Sequence, residues 1–196
     1  MLKRIFDICA ALAGLATCSP IFFMVALVIK REDGGPILYP GVRTGRHGRP
    51  FRMFKFRTMV MNADQIGGSS TADDDPRITK IGSKLRKYKL DELPQLLNVL
   101  KGDMSIVGPR PEVPYYTDKF DSNEKKILSV RPGITDWATL WNPDEGAILK
   151  GAEDPDRAYE ELIQPTKIKL QLKYVREQSF GSDIKIILKT LKAIVT

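Results

Sequence analysis

The chain has 196 residues, with 31 Lys and Arg against 24 Asp and Glu, a net charge of +7 and a pI near 9.4. That length suits one domain with a core of its own, and the positive surplus favours an anionic partner: nucleic acid, anionic lipid or a phosphorylated substrate. Cys9 and Cys18 share one apolar segment and His47 is the only histidine, which excludes a disulfide framework, a zinc finger and a histidine-built metal centre.

The first predicted element is the apolar run "IFDICAALAGLATCSPIFFMVALVI", residues 5 to 29, interrupted in character only by Asp7, Thr17 and Ser19. Roughly 20 apolar residues suffice to cross a bilayer. A lipoprotein-type signal peptide fits poorly, because the run continues well past Cys18 and Thr17 is large for the position before the cysteine. A straight span and a re-entrant hairpin both remain open. Pro20 kinks a helix because it lacks an N–H and crowds the carbonyl four residues back. The Ser19 hydroxyl can take up a freed carbonyl, which makes the break tolerable in lipid. Lys3-Arg4 precede the run and Lys30-Arg31 follow it. Cations prefer the cytoplasmic side, and here both ends carry them.

Residues 34 to 59, "GGPILYPGVRTGRHGRPFRMFKFRTM", read as turn, strand, Gly/Arg-rich loop and strand. Period-two alternation puts Phe54 and Phe56 on one side, Lys55 and Arg57 on the other. Residues 41–60 hold six basic residues and no acid, and residues 77–89 hold six more, so 12 of the 31 cations lie in two short windows flanking "ADDDP". Asp73, Asp74 and Asp75 before Pro76 read as a turn. "LPQLLNVLKG", residues 93–102, reads as a short helix with Pro94 in its first turn and Gly102 as its stop. "MSIVGPRPEVP" then reads as a strand entering a proline-fixed loop that projects Arg110, and "RPGITDWATLW" as a loop and strand. No chemical role is legible in "NPDEGAILKGAEDPDRAYEEL". "TKIKLQLKYVREQ" fits both periods and is read as helix. "SDIKIILKTLKAIVT" reads as a helix capped by Ser182/Asp183. Its stripe is Ile184, Ile187, Leu188, Leu191, Ile194 and Val195, flanked by Lys185, Lys189 and Lys192. Such a helix can lie in a membrane interface or pack on a core.

Asp91 and Glu92 stand just before the 93–102 helix. Capping its positive end is the plain reading. The surrounding cations, the Pro109-Arg110-Pro111 frame and the apolar segment favour phosphoryl chemistry. Arginine grips phosphate oxygens bidentately, a carboxylate can attack phosphorus and form an acyl phosphate, and a second carboxylate can help hold Mg²⁺.

The pieces "KRIFDI", the Ser19-Pro20 break, "GGPILYPGVRTGRHGRPFRMFKFRTM", "DDDPRITKIGSKLRK", "LDELPQLLNVLKGDMSIVGPRPE" and "RPGITDWA" occur in that order over residues 1 to about 138. In them the chain resembles the bacterial sugar transferases, the monotopic phosphoglycosyl transferases of minimal catalytic-core size. The resemblance implies an α+β, mostly helical fold. Residues 1–31 would form a re-entrant membrane helix kinked at Ser19-Pro20. Residues 32–196 would form a small cytoplasmic catalytic domain with a short β-hairpin and interfacial amphipathic helices, at the inner membrane of a bacterium. It implies transfer of a sugar 1-phosphate from a UDP-sugar to polyprenyl (undecaprenyl) phosphate with loss of UMP, the step that starts assembly of a glycan. Asp91 would be the nucleophile and Glu92 its support, both in reach of Mg²⁺. Pro109, Arg110 and Pro111 would contact the nucleotide or its phosphates, with Lys55, Arg57, Arg86 and Arg131 on the phosphate side. Membrane lipids and a second copy of the chain are further expected partners. Asp136 stands where the family pattern has glycine, Tyr88 and Lys89 alter the approach to the acids, and residues 139–165 match the pattern poorly.

Two other classes compete. A non-catalytic membrane-surface adaptor explains the charge but not the acid pair with its Pro-Arg-Pro frame. A nucleic-acid binder explains the basic runs but not the apolar segment, and no groove-reading motif is present.

Overall fold

A computed structural model describes residues 1–195, with side chains described through Ala193; Ile194 and Val195, the end of the predicted final stripe, lie outside the described side chains. The chain is mostly helical, with two small two-stranded sheets.

Helix α1 (Leu2–Asp33) is one continuous element through Pro20. The carbonyl that Pro20 leaves without a donor is that of Ala16, and the Ser19 hydroxyl donates to it at 2.9 Å. Gly34 ends the helix in the left-handed region, φ 74°, returning its N–H to Lys30. Most of the helix is uncovered: Phe23 is 73% exposed and Met24 60%. It is nonetheless fastened to the rest of the chain at both ends. Near the start, Lys3 donates to the Val107 carbonyl at 2.9 Å and pairs with Asp183 at 2.6 Å, and Arg4 donates to the Val99 and Leu100 carbonyls. Asp7 is buried and accepts from the Ser105 hydroxyl and the Ile106 N–H. Near the end, Val25 and Ile29 pack with Phe56 and Leu85, and Arg57 closes on Asp33.

Strands β1 (Leu38–Thr44) and β2 (Pro50–Phe56) pair antiparallel from Leu38↔Phe56 to Thr44↔Pro50. The bend between them places His47 and Gly48 at positive φ. Helix α2 (Lys80–Lys87) starts at Thr79, whose side chain accepts from the Gly82 N–H. A 3₁₀ turn, Leu90–Glu92, leads into α3 (Gln95–Lys101), which ends at Gly102 as predicted. Asn98 of α3 is fully buried. Its side-chain oxygen accepts from the Phe54 N–H at 2.9 Å and its amide donates to the Arg52 carbonyl at 2.7 Å. One side chain thus serves as the missing strand on the edge of β2.

Strands β3 (Ser105–Val107) and β4 (Gly133–Thr135) pair in parallel. Glycine is required at 133, since a Cβ there would lie 2.1 Å from the Gly108 nitrogen. Helices α4 (Pro114–Thr117), α5 (Trp137–Trp141), α6 (Glu145–Leu149) and α7 (Pro155–Ala158) follow. The stretch read as loop and strand after Arg131 is therefore strand and then helix. Asp136 caps α5 by accepting from the Thr139 N–H, and a local cap overrides the β-propensity of its neighbours.

A π-turn, Tyr159–Ile163, runs into α8 (Gln164–Glu177), and α9 (Phe180–Val195) closes the chain. Helix α9 begins before the predicted cap: Asp183 lies inside its first turn and bonds Lys3 and Tyr174. Ile186 is its fully buried residue, whereas Leu188 and Leu191 of the predicted stripe are 63% and 56% exposed. The helix buries one face and leaves an apolar edge outside.

Asn98→Leu keeps the branched outline of the side chain but leaves the Phe54 N–H and Arg52 carbonyl without partners. It is expected to cost about 2–3 kcal/mol, read as a lower thermal midpoint of the detergent-solubilised protein.

Candidate active site

The local fold brings the acid pair to the hairpin. Lys89 adopts positive φ, 54°, which turns the chain out of α2 and into the 3₁₀ turn carrying Asp91 and Glu92. Asn98, two turns further on, fixes the edge of β2 at Arg52 and Phe54, and Lys55 is the next residue of that strand. Its ammonium meets Glu92 at 2.9 Å and Asp91 at 3.9 Å.

Arg110 arrives from the other side. Its guanidinium straddles Glu92, with Nη1 to Oε2 at 2.9 Å and Nη2 to Oε1. Its backbone is held as well: the N–H donates to Asp136 at 3.3 Å and the carbonyl accepts from Gln171 at 3.1 Å. Asp136 and Gln171 are both buried. The Pro109 carbonyl accepts from the Gly133 N–H at 3.0 Å, tying the proline frame to β4. Arg86 donates to the Thr58 hydroxyl at 3.0 Å, and its charge bears on Asp91.

The two acids are treated differently. Burial alone would raise the Glu92 carboxyl, but Arg110 and Lys55 override it and hold the group well below the usual carboxylate range. Burial pushes the Asp91 carboxyl up, opposed by Lys55 and reinforced by the Glu92 charge. Asp91 is 5% exposed, and its Oδ1 has no hydrogen-bond partner. Glu92 is a fixed charge whose oxygens are occupied, whereas Asp91 keeps a free oxygen.

Of the sequence candidates, Asp91, Glu92, Lys55 and Arg110 meet directly, with Arg86 beside them and Pro109 and Pro111 framing Arg110. Arg57 goes elsewhere: it is buried against Asp33 and the Pro36 carbonyl. Arg131 donates to the Gly102 carbonyl at 3.0 Å and makes no bond to either acid. Both oxygens of Glu92, the second expected metal ligand, are in ion pairs with Arg110 and Lys55.

Four residues were missed as members of the site. Arg43 of β1 lies within electrostatic reach of Glu112, Arg110 and Glu92; burial lowers its basicity against the pull of Glu112. Gln95, one turn after Asp91, is fully buried with neither amide atom partnered. Asn98 and Gln171 act on backbone, which no residue pattern advertises. The 139–165 region acquires a structural role: Glu145 and Glu112 both pair with the buried Lys167, to which Tyr159 is also bonded. Asp156 accepts from the Ser69 and Ser70 N–H groups.

The site is a buried carboxylate with one unpartnered oxygen, set among cations, on a chain whose N-terminal helix is long and apolar enough to cross a membrane. The chain belongs to the bacterial sugar transferase family, whose family model matches residues 1–196. It is 42% identical to the galactosyl transferase CpsE of Streptococcus agalactiae over 98% of this chain and 42% of that protein. It is 38% identical to the UDP-N-acetylgalactosamine-undecaprenyl-phosphate N-acetylgalactosaminephosphotransferase of Aeromonas hydrophila over 100% of this chain and 44% of that protein. With the exopolysaccharide production protein ExoY of Sinorhizobium fredii it shares 37% identity over 98% of this chain and 84% of that protein. The chain thus spans less than half of the first two relatives and most of the third.

The two acids are expected to give opposite stability changes. The Glu92 value is depressed in the fold, so its contribution is complete above the ordinary glutamate value and is lost as pH falls through the folded one. Glu92→Gln should cost about 2–3 kcal/mol near neutral pH, because Arg110 and Lys55 lose their counter-charge. The Asp91 value is raised, so its contribution is present below the ordinary aspartate value and lost as pH rises. Asp91→Asn should therefore gain about 1 kcal/mol at neutral pH. Thermal midpoints at pH 7.5 of both variants test this.

Proposed function

We propose that this chain moves a sugar 1-phosphate from a UDP-sugar to polyprenyl phosphate in two displacements at Asp91. The observation that carries the reading is the Asp91 oxygen left free and buried beside a neighbour whose charge is wholly committed. An Asp91 oxygen attacks the phosphorus that bears the sugar. The bond from that phosphorus to the bridging oxygen breaks and UMP leaves with the electron pair. Polyprenyl phosphate then attacks the acyl phosphate, the aspartyl C–O–P linkage opens at phosphorus, and the Asp91 carboxylate returns. Arg110, Lys55 and Arg86 oppose the charge that gathers on the diphosphate, and Glu92 keeps Arg110 and Lys55 in place. The Aeromonas relative is named for a reaction of this kind.

Among the described residues no three metal-ligating side chains gather. Mg²⁺ needs only one or two carboxylates when phosphate oxygens and waters complete its shell, and the unpartnered Asp91 Oδ1 suits that. Asp91 would hold the ion, which supplies neutralisation of the phosphate oxygens.

Helix α1 is assigned as a re-entrant element with both ends on the cytoplasmic face of the bacterial inner membrane. Lys3 and Arg4 at its start and Asp33 at its end bind the same body of chain. A straight crossing would put them on opposite sides.

Incubation of membrane-embedded protein with Mg²⁺ and a panel of UDP-sugars is expected to give a covalent sugar-phosphate adduct at Asp91 by mass spectrometry. Asp91→Asn should give none. A panel is used because relatives of similar identity are named for different sugars. An adduct at another residue, or turnover in Asp91→Asn, overturns the reading. For topology, Leu2→Cys in a Cys9→Ala, Cys18→Ala background should resist an impermeant thiol reagent added outside intact cells; labelling there rejects the re-entrant assignment.

A further inference from the structure

Both tryptophans of the chain line one open pocket that the chemistry above does not use. Its walls are Trp137, Leu140 and Trp141 of α5, Leu170 and Lys173 of α8, and Lys189 of α9, around a volume of about 310 Å³. That is the lower end of the range for small-ligand sites, and the lining is aromatic and aliphatic with a few placed polar groups.

Three observations say what it takes. First, the pocket has two cations and no acid in its lining. Lys189 lies over the Trp137 ring, 5.5 Å from its centroid, and among the described residues neither Lys173 nor Lys189 is in an ion pair. Two ammonium groups without a counter-charge call for an anion. Second, the remaining surface is two indoles and two leucines, which calls for an apolar body. The inner sides of Trp137 and Leu140 pack on the cluster of Val107, Tyr174 and Ile186, so that wall is firm. Third, Lys189 sits between the exposed Leu188 and Leu191 on the outer edge of α9. Exposed leucines, lysines and a 44% exposed Trp141 are the composition of a surface that meets the headgroup layer.

The pocket also adjoins the candidate active site through the chain. Asp136, which takes the Arg110 N–H, is followed by Trp137; Gln171, which gives to the Arg110 carbonyl, is preceded by Leu170. The residues that set the Arg110 backbone and those that line the pocket are chain neighbours, at the cap of α5 and within α8.

We propose that this pocket binds a phosphate carrying a long apolar tail, with the phosphate on Lys173 and Lys189 and the start of the tail on Trp137, Leu140, Trp141 and Leu170. Two molecules have this chemistry: the polyprenyl phosphate acceptor and a membrane phospholipid. The acceptor assignment rests on the reaction proposed above; the binding itself does not.

The chain reports on its own pocket, because its tryptophan fluorescence comes only from residues 137 and 141. Full-length protein in neutral detergent is titrated with polyprenyl phosphate, phosphatidylglycerol, polyprenol and UDP. Polyprenyl phosphate should give a saturable change, and the Lys173→Gln/Lys189→Gln variant should bind about thirtyfold more weakly. Each single exchange should weaken it by about fivefold, and these serve if the double variant fails to fold. A stronger lysine-dependent response to phosphatidylglycerol assigns the same site to bulk lipid. An equal response to polyprenol, a lysine-dependent response to UDP, or no response to either tailed phosphate overturns the proposal. Adduct formation at Asp91 is followed on the same wild-type sample: its absence rejects the two-step reaction and leaves the fluorescence result standing.

Discussion

The arrangement of the site depends on a single amide. Asn98 is one residue of a seven-residue helix, yet it completes the hydrogen bonding of a strand edge and thereby fixes α3 against β2. Every ion pair at the candidate active site crosses that seam or builds on it. Lys55 stands one residue beyond Phe54 on the strand, and Asp91 and Glu92 stand just ahead of the helix. A buried edge without this amide would leave an N–H and a carbonyl unpaired. The same contact that stabilises the hairpin therefore aligns cation with carboxylate, and packing and chemistry are inseparable here.

The charges around Asp91 divide into fixed and free. Glu92 neutralises Arg110 and Lys55 in the absence of substrate and keeps them from collapsing onto Asp91. The Asp91–Lys55 separation of 3.9 Å against 2.9 Å for Glu92 expresses that preference. For the role proposed for Asp91, tight pairing with arginine would stabilise the ground state and slow the attack. Leaving Asp91 buried and underpaired costs folding energy, which the fixed pairs at Glu92 offset. Departures from local optimality of this kind gather where a protein must act.

Much of this was legible in the sequence, and the failures have physical causes. The long apolar helix, the hairpin, the short helix between Pro94 and Gly102 and the acid pair at its head all follow from local rules: run length, alternation and punctuation by proline and glycine. The Ser19 bond to the carbonyl orphaned by Pro20 followed from stereochemistry alone. Partner choice did not. Lys55 and Arg57 share a predicted strand face, but Arg57 lies just past the end of β2, where α1 returns with Asp33, and a buried arginine takes the nearest carboxylate. Arg131 looked available because a sequence does not display the Gly102 carbonyl. Asn98, Gln95 and Gln171 escaped notice for the same reason: amides inside helices carry no periodic signal, and their partners lie 44 or 61 residues away in the cases of Asn98 with Phe54 and Gln171 with Arg110.

The way α1 is fastened bears on the proposed reaction, in which a lipid and a nucleotide would meet at one aspartate. A helix of about 48 Å, at 1.5 Å per residue, exceeds the roughly 30 Å hydrocarbon core of a bilayer. Yet Lys3, Arg4 and Asp7 at one end and Val25, Ile29 and Asp33 at the other are tied to residues of the same folded body. On the re-entrant assignment proposed above, a helix so tied would stay shallow, with its exposed middle in the acyl layer and its ends at the headgroups. The 3₁₀ turn with Asp91 is held to the same helix: Leu90 and Leu93 on either side of the acids pack against the cluster of Val25 and Ile29. The leucines that bracket the acid pair thus seat it against α1. On the same proposal the carboxylates would be held at a fixed depth beside the headgroup layer, where an anionic lipid could present its phosphate and a soluble nucleotide could still arrive from water.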